Sequence, residues 1–274
     1  MDKITLYKDT ARGLNDLVTD TVPTAATATT LDVSSFIQDT PRRLVGKSVY
    51  IYSGAGIGQE RTTGSFNPSA KRIIFPEAFA TVPSINSNFL MFDYFTKPDY
   101  DAAFDQMFRK ARSRYLQERS ATLSLVATQW AYAVPSGFKT ITEIRLVPST
   151  NTDYEASDYV DRIYRFNHKY DYHLERNPLG TYMIIFDPRA LTLDLLDKHW
   201  CHVVGQAEPD TVGSDGATVP RDLEDYLING MQMMLAARRI DENKQWQAKF
   251  FIYRDEDRKL EEYIFRHRRG KPVE

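Results

Sequence analysis

Residues 97–118, KPDYDAAFDQMFRKARSRYLQE, constrain the fold more than any other stretch. Tyr100, Ala103, Phe104, Met107, Phe108, Ala111 and Tyr115 recur at i, i+3, i+4 and i+7. That spacing gathers them on one face of a helix and scatters them over both faces of a strand. Thr96 supplies a capping oxygen, and Pro98 and Asp99 suit a first turn, where no amide donor is needed and negative charge opposes the helix dipole. Arg109, Lys110, Arg112 and Arg114 occupy the other face. The pattern predicts a helix over 97–118, and its apolar stripe demands a partner.

The C-terminal part of the chain supplies one. Pro220 opens a second helical pattern with Asp222, Glu224 and Asp225 in its first turn. Leu223, Leu227, Met231, Met234 and Leu235 line it, and Arg238 and Arg239 close it. Asp241 caps a third pattern in which Trp246, Phe250, Tyr253, Leu260 and Ile264 fall three, four or seven residues apart. The few residues between them predict an antiparallel αα-hairpin over 220–268. A weaker helical pattern lies at residues 4–18, with Leu6, Leu14, Leu17 and Val18 near one face.

Between these segments the period changes to two. Short strands are expected at residues 48–52, 59–63, 72–75 and 88–92, separated by Gly, Pro, Asn and Ser clusters, which suggests a small β-sandwich or barrel over residues 20–95. A second β region spans 120–205, with strands on either side of Pro135-Ser136-Gly137 and at residues 181–187 and 191–204. The polar, Tyr-rich stretch from Tyr154 to Tyr172 lies inside it. The expected class is therefore α+β: a helical bundle made of helix 97–118 and the hairpin 220–268, with two antiparallel β modules inserted or appended. The expected division is 1–95, a helix plus the small β module, and 96–274, the remainder.

Composition narrows the function classes. A net charge of −2 leaves no global footprint for nucleic acid, so any contact with DNA is local. One cysteine, Cys201, rules out an internal disulfide framework and suits a reducing cytoplasm. MDKITLYKDT lacks the basic and apolar regions of a signal peptide, and no run has the ~18 apolar residues of a membrane span.

VYIYSGAGIGQERT, residues 49–62, has the look of a phosphate loop and fails as one. Glycines at 54, 56 and 58 miss the dinucleotide spacing at Gln59, and no Gly-Lys-Ser/Thr follows. Such loops work by ending at a helix N-terminus. Here the continuation alternates, so a strand is expected, with the glycines supplying positive φ in a hairpin connection. In DKHWCH, Asp197, His199 and Cys201 share one strand face and His202 points away, but a zinc site needs paired ligands from a second segment and none is offered. Cys201 has no base placed to activate it, and the carboxylates of residues 253–263 alternate with Arg254, Arg258 and Lys259 as an ion-paired helix face. The expectation is no enzyme, no cofactor and no metal.

Two features suggest interaction. Arg266, Arg268, Arg269 and Lys271 form a basic end, which suits either the negative pole of a helix or a groove or DNA phosphates. Tyr154, Tyr159, Tyr164, Tyr170 and Tyr172 form a row that serves either a core or an interface.

The pattern ATATTLDVSSF…LVGKSVYIYSGAGIGQERTTGSF…IIFPEAFATVPSINSNFLMF resembles N-terminal β modules in structural proteins of tailed bacteriophages, where short strands flank a G-x-G-Q-x-R turn. WAYAVPSGFKTITEIRL and VPRDLEDYLINGMQMMLAARR…WQAKFFIYRDEDRKLEEYIFRHRRG resemble head–tail connector (adaptor) proteins. The resemblance implies a virion protein assembled in the host cytoplasm, a dodecameric homo-oligomeric ring joining portal protein to a downstream tail or neck protein, with genomic DNA passing non-specifically through its lumen and no membrane partner. It assigns Arg266, Arg268, Arg269 and Lys271 to the portal or DNA, and the tyrosine row to subunit contacts. The chain departs from smaller members in its β insertions at 20–95 and 120–205. The alternative is a β-module attachment protein of tail, fibre or baseplate, with Tyr154 to Tyr172 as a face for carbohydrate or another surface.

Overall fold

In the computed structural model, which describes residues 1–21, 23–33, 44–112, 115–126, 129–148, 164–166, 171–187, 189, 199–210, 212–213 and 215–266, the chain is mixed α+β. Four helices and several small antiparallel sheets lie among the described residues. Two compact units divide it: residues 1–111 with 211–274, and residues 112–210.

Unit one opens on α1, Lys3–Leu14, whose first turn is capped by the Asp2 carboxylate accepting from the Thr5 amide at 2.6 Å. The helix does not run to residue 18 as its apolar spacing predicts. Asn15 turns left-handed at φ 55°, Asp16 donates its amide back to Ala11 at 2.8 Å, and Leu17 and Val18 enter a strand. The strands that follow are β1 (Leu17–Thr21), β2 (Ala25–Ala26), β3 (Thr30–Asp32), β4 (Ser48–Ser53), β5 (Glu60–Thr62), β6 (Ser65–Asn67), β7 (Arg72–Ile74) and β8 (Asn88–Phe92).

They form two four-stranded sheets, ordered β1-β8-β4-β5 and β2-β3-β7-β6, with every pairing antiparallel. Leu31, Phe66 and Ile73 from one sheet and Val49, Ile51, Phe89 and Met91 from the other share a single buried core. Alternation sends Leu90 and Phe92 to the opposite face of β8, yet these too are fully buried. Helices cover them: the Phe92 and Tyr100 rings sit 4.8 Å apart, and Tyr100 lies 5.6 Å from Tyr7.

Tyr100 stands on α2, Lys97–Arg112, the helix expected from the 97–118 pattern. Its apolar stripe, Tyr100, Ala103, Phe104, Met107, Phe108 and Ala111, is buried as the spacing requires. The helix stops at Arg112, six residues early, because Gln117–Leu123 is drawn into a sheet of unit two. The break expected between residues 95 and 96 falls inside unit one, since α1 and α2 lie on the second face of the β1-β8-β4-β5 sheet.

After a 3-10 turn at Arg221–Leu223 come α3, Glu224–Arg238, and α4, Lys244–Arg266. Gly230 of α3 lets Met107 of α2 approach so closely that a Cβ would collide with its Sδ at 2.8 Å. On α4, Lys110 of α2 reaches Glu261 at 3.4 Å, and the Tyr253 hydroxyl donates to the Gly13 carbonyl at 2.8 Å. No described helix is long and apolar enough to cross a membrane.

Unit two holds β9 (Gln117–Leu123), β10 (Ala131–Ala133), β11 (Phe138–Pro148), β12 (Tyr164–Phe166), β13 (Tyr172–Arg176), β14 (Tyr182–Phe186) and β15 (His199–Ala207). Its sheets are β12-β11-β15-β9 and β10-β14-β13. Ile144, Phe166, Cys201 and Val203 of the first and Tyr132, Tyr172, Ile184 and Phe186 of the second make one core.

Candidate functional site

The turn after β4 holds the most constructed surface among the described residues. Gly54, Gly56 and Gly58 have φ of +80°, +81° and +85°, the left-handed region that only glycine enters without strain. The chain leaves the turn as β5, antiparallel to β4, so no helix N-terminus aims amides at an anion. The expected hairpin connection is what forms.

Its purpose lies in the residues behind it. Gln59 uses its whole amide on one opposing loop and its own turn: Oε1 accepts from the Ala80 amide at 2.6 Å and from Thr81 at 3.3 Å, while Nε2 donates to the Thr81 carbonyl at 2.9 Å and to Gly56 at 3.2 Å. Two residues on, and so on the same side of the strand, Arg61 donates from Nε and Nη2 to the Ala78 carbonyl at 3.0 and 2.8 Å. Its guanidinium lies 5.6 Å from the Phe79 ring centroid. Ser87 Oγ donates to the Ala55 carbonyl at 2.8 Å and accepts from the Ser84 amide at 2.9 Å. A Cβ on Gly54 would stand 2.7 Å from Ser87 Cα. Residues 78–87 are thus clamped to the 54–58 turn. The clamp holds Ile57, Val82 and Ile85 in water, 63%, 45% and 62% exposed. The Gln-x-Arg spacing after the glycines is the signal by which sequence reading reaches this clamp. The reading of 49–62 as a simple connection misses both side chains.

The densest ionisable group of unit one behaves differently. Asp101 accepts from the Tyr7 hydroxyl at 2.6 Å and pairs with Lys97 at 2.6 Å and Lys3 at 3.1 Å. Lys97 also reaches Asp215 at 3.2 Å, and Tyr50 donates to that carboxylate. Burial raises the Asp101 carboxyl, but hydrogen bonds from Lys97, Tyr7 and Lys3 outweigh it and hold the group below its ordinary value. Burial first, and these carboxylates second, push the Tyr7 and Tyr50 phenols up. A general acid or base works best with a pKa near the ambient pH, and these shifts run away from it on both sides. The cluster is a cross-link between α1, β4 and α2.

Asp16, unlike the half-buried Asp101, is fully buried, and it ties the end of α1 to β8 and α2. It accepts from the Tyr100 hydroxyl at 2.6 Å and from the amides of Tyr94 and Phe95. Burial raises its pKa against the pull of these bonds. In unit two Cys201 is fully buried, and burial pushes its thiol up to about 12, the opposite of what a nucleophile needs. Burial, and then Arg145, lowers His202. Among the described residues no three of His, Cys, Asp and Glu converge as metal ligands.

The interaction candidates fare unevenly. Tyr172 faces inward on β13, 4% exposed in the unit-two core near Phe186. Tyr164 opens β12, opposite Leu146 of β11. Arg266 is the last residue of α4. Tyr154, Tyr159, Tyr170, Arg268, Arg269, Lys271 and Asp197 lie outside the described residues.

No protein-family model matches this chain, and no curated protein is significantly similar to it.

Proposed function

We propose that the chain is a structural subunit of a tailed-phage head–tail joint, an oligomeric ring that links the portal to the tail and surrounds the DNA passage. In this reading α2, α3 and α4 act as a helical bundle with an αα-hairpin. The basic end, Arg266, Arg268, Arg269 and Lys271, docks on the portal, and the β modules meet neighbouring subunits or the next ring. The observation that carries the proposal is the distribution of exposed large apolar side chains. Ile57, Val82 and Ile85 stand on the clamped turn, Phe251 and Ile252 on α4, and Leu174, Leu179 and Tyr182 on unit two. Several apolar contact points spread over one subunit suit a protein that touches several neighbours at once. Ring closure multiplies such modest contacts, so avidity stabilises the assembly.

Electron microscopy of the purified chain with its portal tests the proposal. A twelvefold ring coaxial with the portal is the expected result, and threefold particles, or no particles, refute it. Truncation after Phe265 is expected to leave the circular-dichroism spectrum unchanged and to weaken co-sedimentation with portal. Unchanged co-sedimentation removes the basic end from that contact.

A further inference from the structure

Helix α4 carries a seam of polar residues inward. Lys249, Tyr253, Asp257 and Glu261 follow one another at intervals of four and so run along one side of the helix. Lys249 donates to the Leu14 carbonyl and the Tyr253 hydroxyl to the Gly13 carbonyl, both at the end of α1. Asp257 and Glu261 flank Lys110 of α2 at 3.7 and 3.4 Å. Trp246 is buried near the start of α4, but Phe250 and Leu260 are only half-buried, and Phe251 and Ile252 stand in water. A helix is ordinarily fastened by an apolar stripe. From Lys249 to Glu261 the inward contacts of α4 are largely polar. Such contacts contribute little net stability, because the same groups are hydrated when the helix lifts.

Asp257 is the costly member of that seam. It is 5% exposed, and its Oδ1 receives no hydrogen bond among the described residues. Lys110 of α2 is the one cation acting on it among those residues. The same ammonium also serves Glu261 of α4 and lies 5.8 Å from the Tyr226 ring of α3. A buried carboxylate that shares a single cation and leaves one oxygen bare is poorly compensated when ionised. We propose that α4 from Tyr253 to Arg266 is a proton-operated latch, fastened to α2 when Asp257 is protonated and loosened when Asp257 is ionised. Burial raises the Asp257 carboxyl above its ordinary 3.8, although Lys110 pulls the other way. The docked helix therefore holds the proton more tightly than the lifted one, where the group returns to 3.8. Docking is firmest below 3.8, weakens as pH rises through the docked value, and stays weaker above it. The inference concerns α4 and α2 alone and does not rest on the ring reading.

Hydrogen exchange of the full chain, read by mass spectrometry at about pH 4.5 and about pH 7.5 and corrected for the intrinsic pH dependence of exchange, tests the latch. Protection of residues 253–266 is expected to be several-fold lower at the higher pH, with residues 226–236 of α3 unchanged as the internal reference. Asp257→Asn cannot ionise, so its protection is expected to be the same at both pH values. Lys110→Met removes the one cation that favours the ionised carboxylate, so it is expected to widen the difference. A helix held only by packing would respond to neither charge. Equal protection of residues 253–266 at the two pH values in the unaltered chain overturns the latch, and so does a pH difference that survives Asp257→Asn. If Asp257→Asn does not fold, Lys110→Met decides, and a difference that narrows or stays the same in it overturns the latch.

Discussion

Replacing Asp16 with alanine tests how unit one is held together. The side chain is fully buried and receives three donors, the Tyr100 hydroxyl at 2.6 Å and the amides of Tyr94 and Phe95. Alanine removes the acceptor from all three. Tyr100 is itself fully buried, so its hydroxyl has no route to water. Each stranded donor costs about 1–3 kcal/mol, and partial relaxation brings the sum to roughly 3–5 kcal/mol. Part of this is recovered because the buried carboxylate, whose pKa burial raises, no longer has to be kept ionised. At about 2–4 °C per kcal/mol for a unit of this size, the melting temperature falls by roughly 6–20 °C. Tyr100→Phe strands no donor and takes one bond from the carboxylate, so it is expected to cost about 1.5–3 kcal/mol. Urea unfolding followed by near-ultraviolet circular dichroism measures both, and the double variant gives their coupling. A loss below about 1 kcal/mol for Asp16→Ala, or full additivity of the pair, refutes the view that this carboxylate organises the junction.

Three further expectations follow from the same structure. Gln59→Ala frees Ala80 and Thr81 from the turn and costs about 1–2 kcal/mol, since its partners can turn to water; faster hydrogen exchange at Ala80 and Thr81 is the readout, and unchanged protection there contradicts the clamp. Asp101 is held below its ordinary 3.8, so its contribution is present above 3.8 and is lost as pH falls through its folded value. Asp101→Asn is therefore expected to flatten the acid limb of a stability–pH profile below 3.8, and parallel profiles would exclude the network as a source of acid sensitivity. With its thiol pushed up to about 12 inside the core, Cys201 is expected to react with a thiol reagent at pH 8 only after unfolding, and prompt native labelling would contradict its burial.

Local pattern determined a good deal. The pattern over 97–118 predicts a helix because apolar positions at period 3.6 admit no other buried arrangement, and the six of them within Lys97–Arg112 are buried as expected. Strand β8 spans the expected residues 88–92, and β4, β5 and β7 follow their expected positions within a residue or two. The failed phosphate loop was legible too, because the alternation after Gly58 excluded a helix there. These are properties of side-chain spacing, which a chain carries wherever it folds.

What spacing does not carry is the choice among competing long-range partners. Residues 113–118 continue the helical pattern, yet from Gln117 the chain pairs with β15, whose hydrogen bonds come from residues some eighty positions away. Leu17 and Val18 fit the face of α1, yet they join β8 because Asn15 and Asp16 close the helix first. Tyr172 belongs to a row that by sequence suits either a core or an interface, and it lies in a core, since only pairing with β14 decides which side of β13 faces inward. Gln59 and Arg61 look like ordinary polar strand residues until loop 78–87 arrives to be held. Sequence determined the elements through local sterics and periodicity. Tertiary structure alone decided their ends, their facing and the surface they present, because those depend on hydrogen bonds and burial contributed by residues far along the chain.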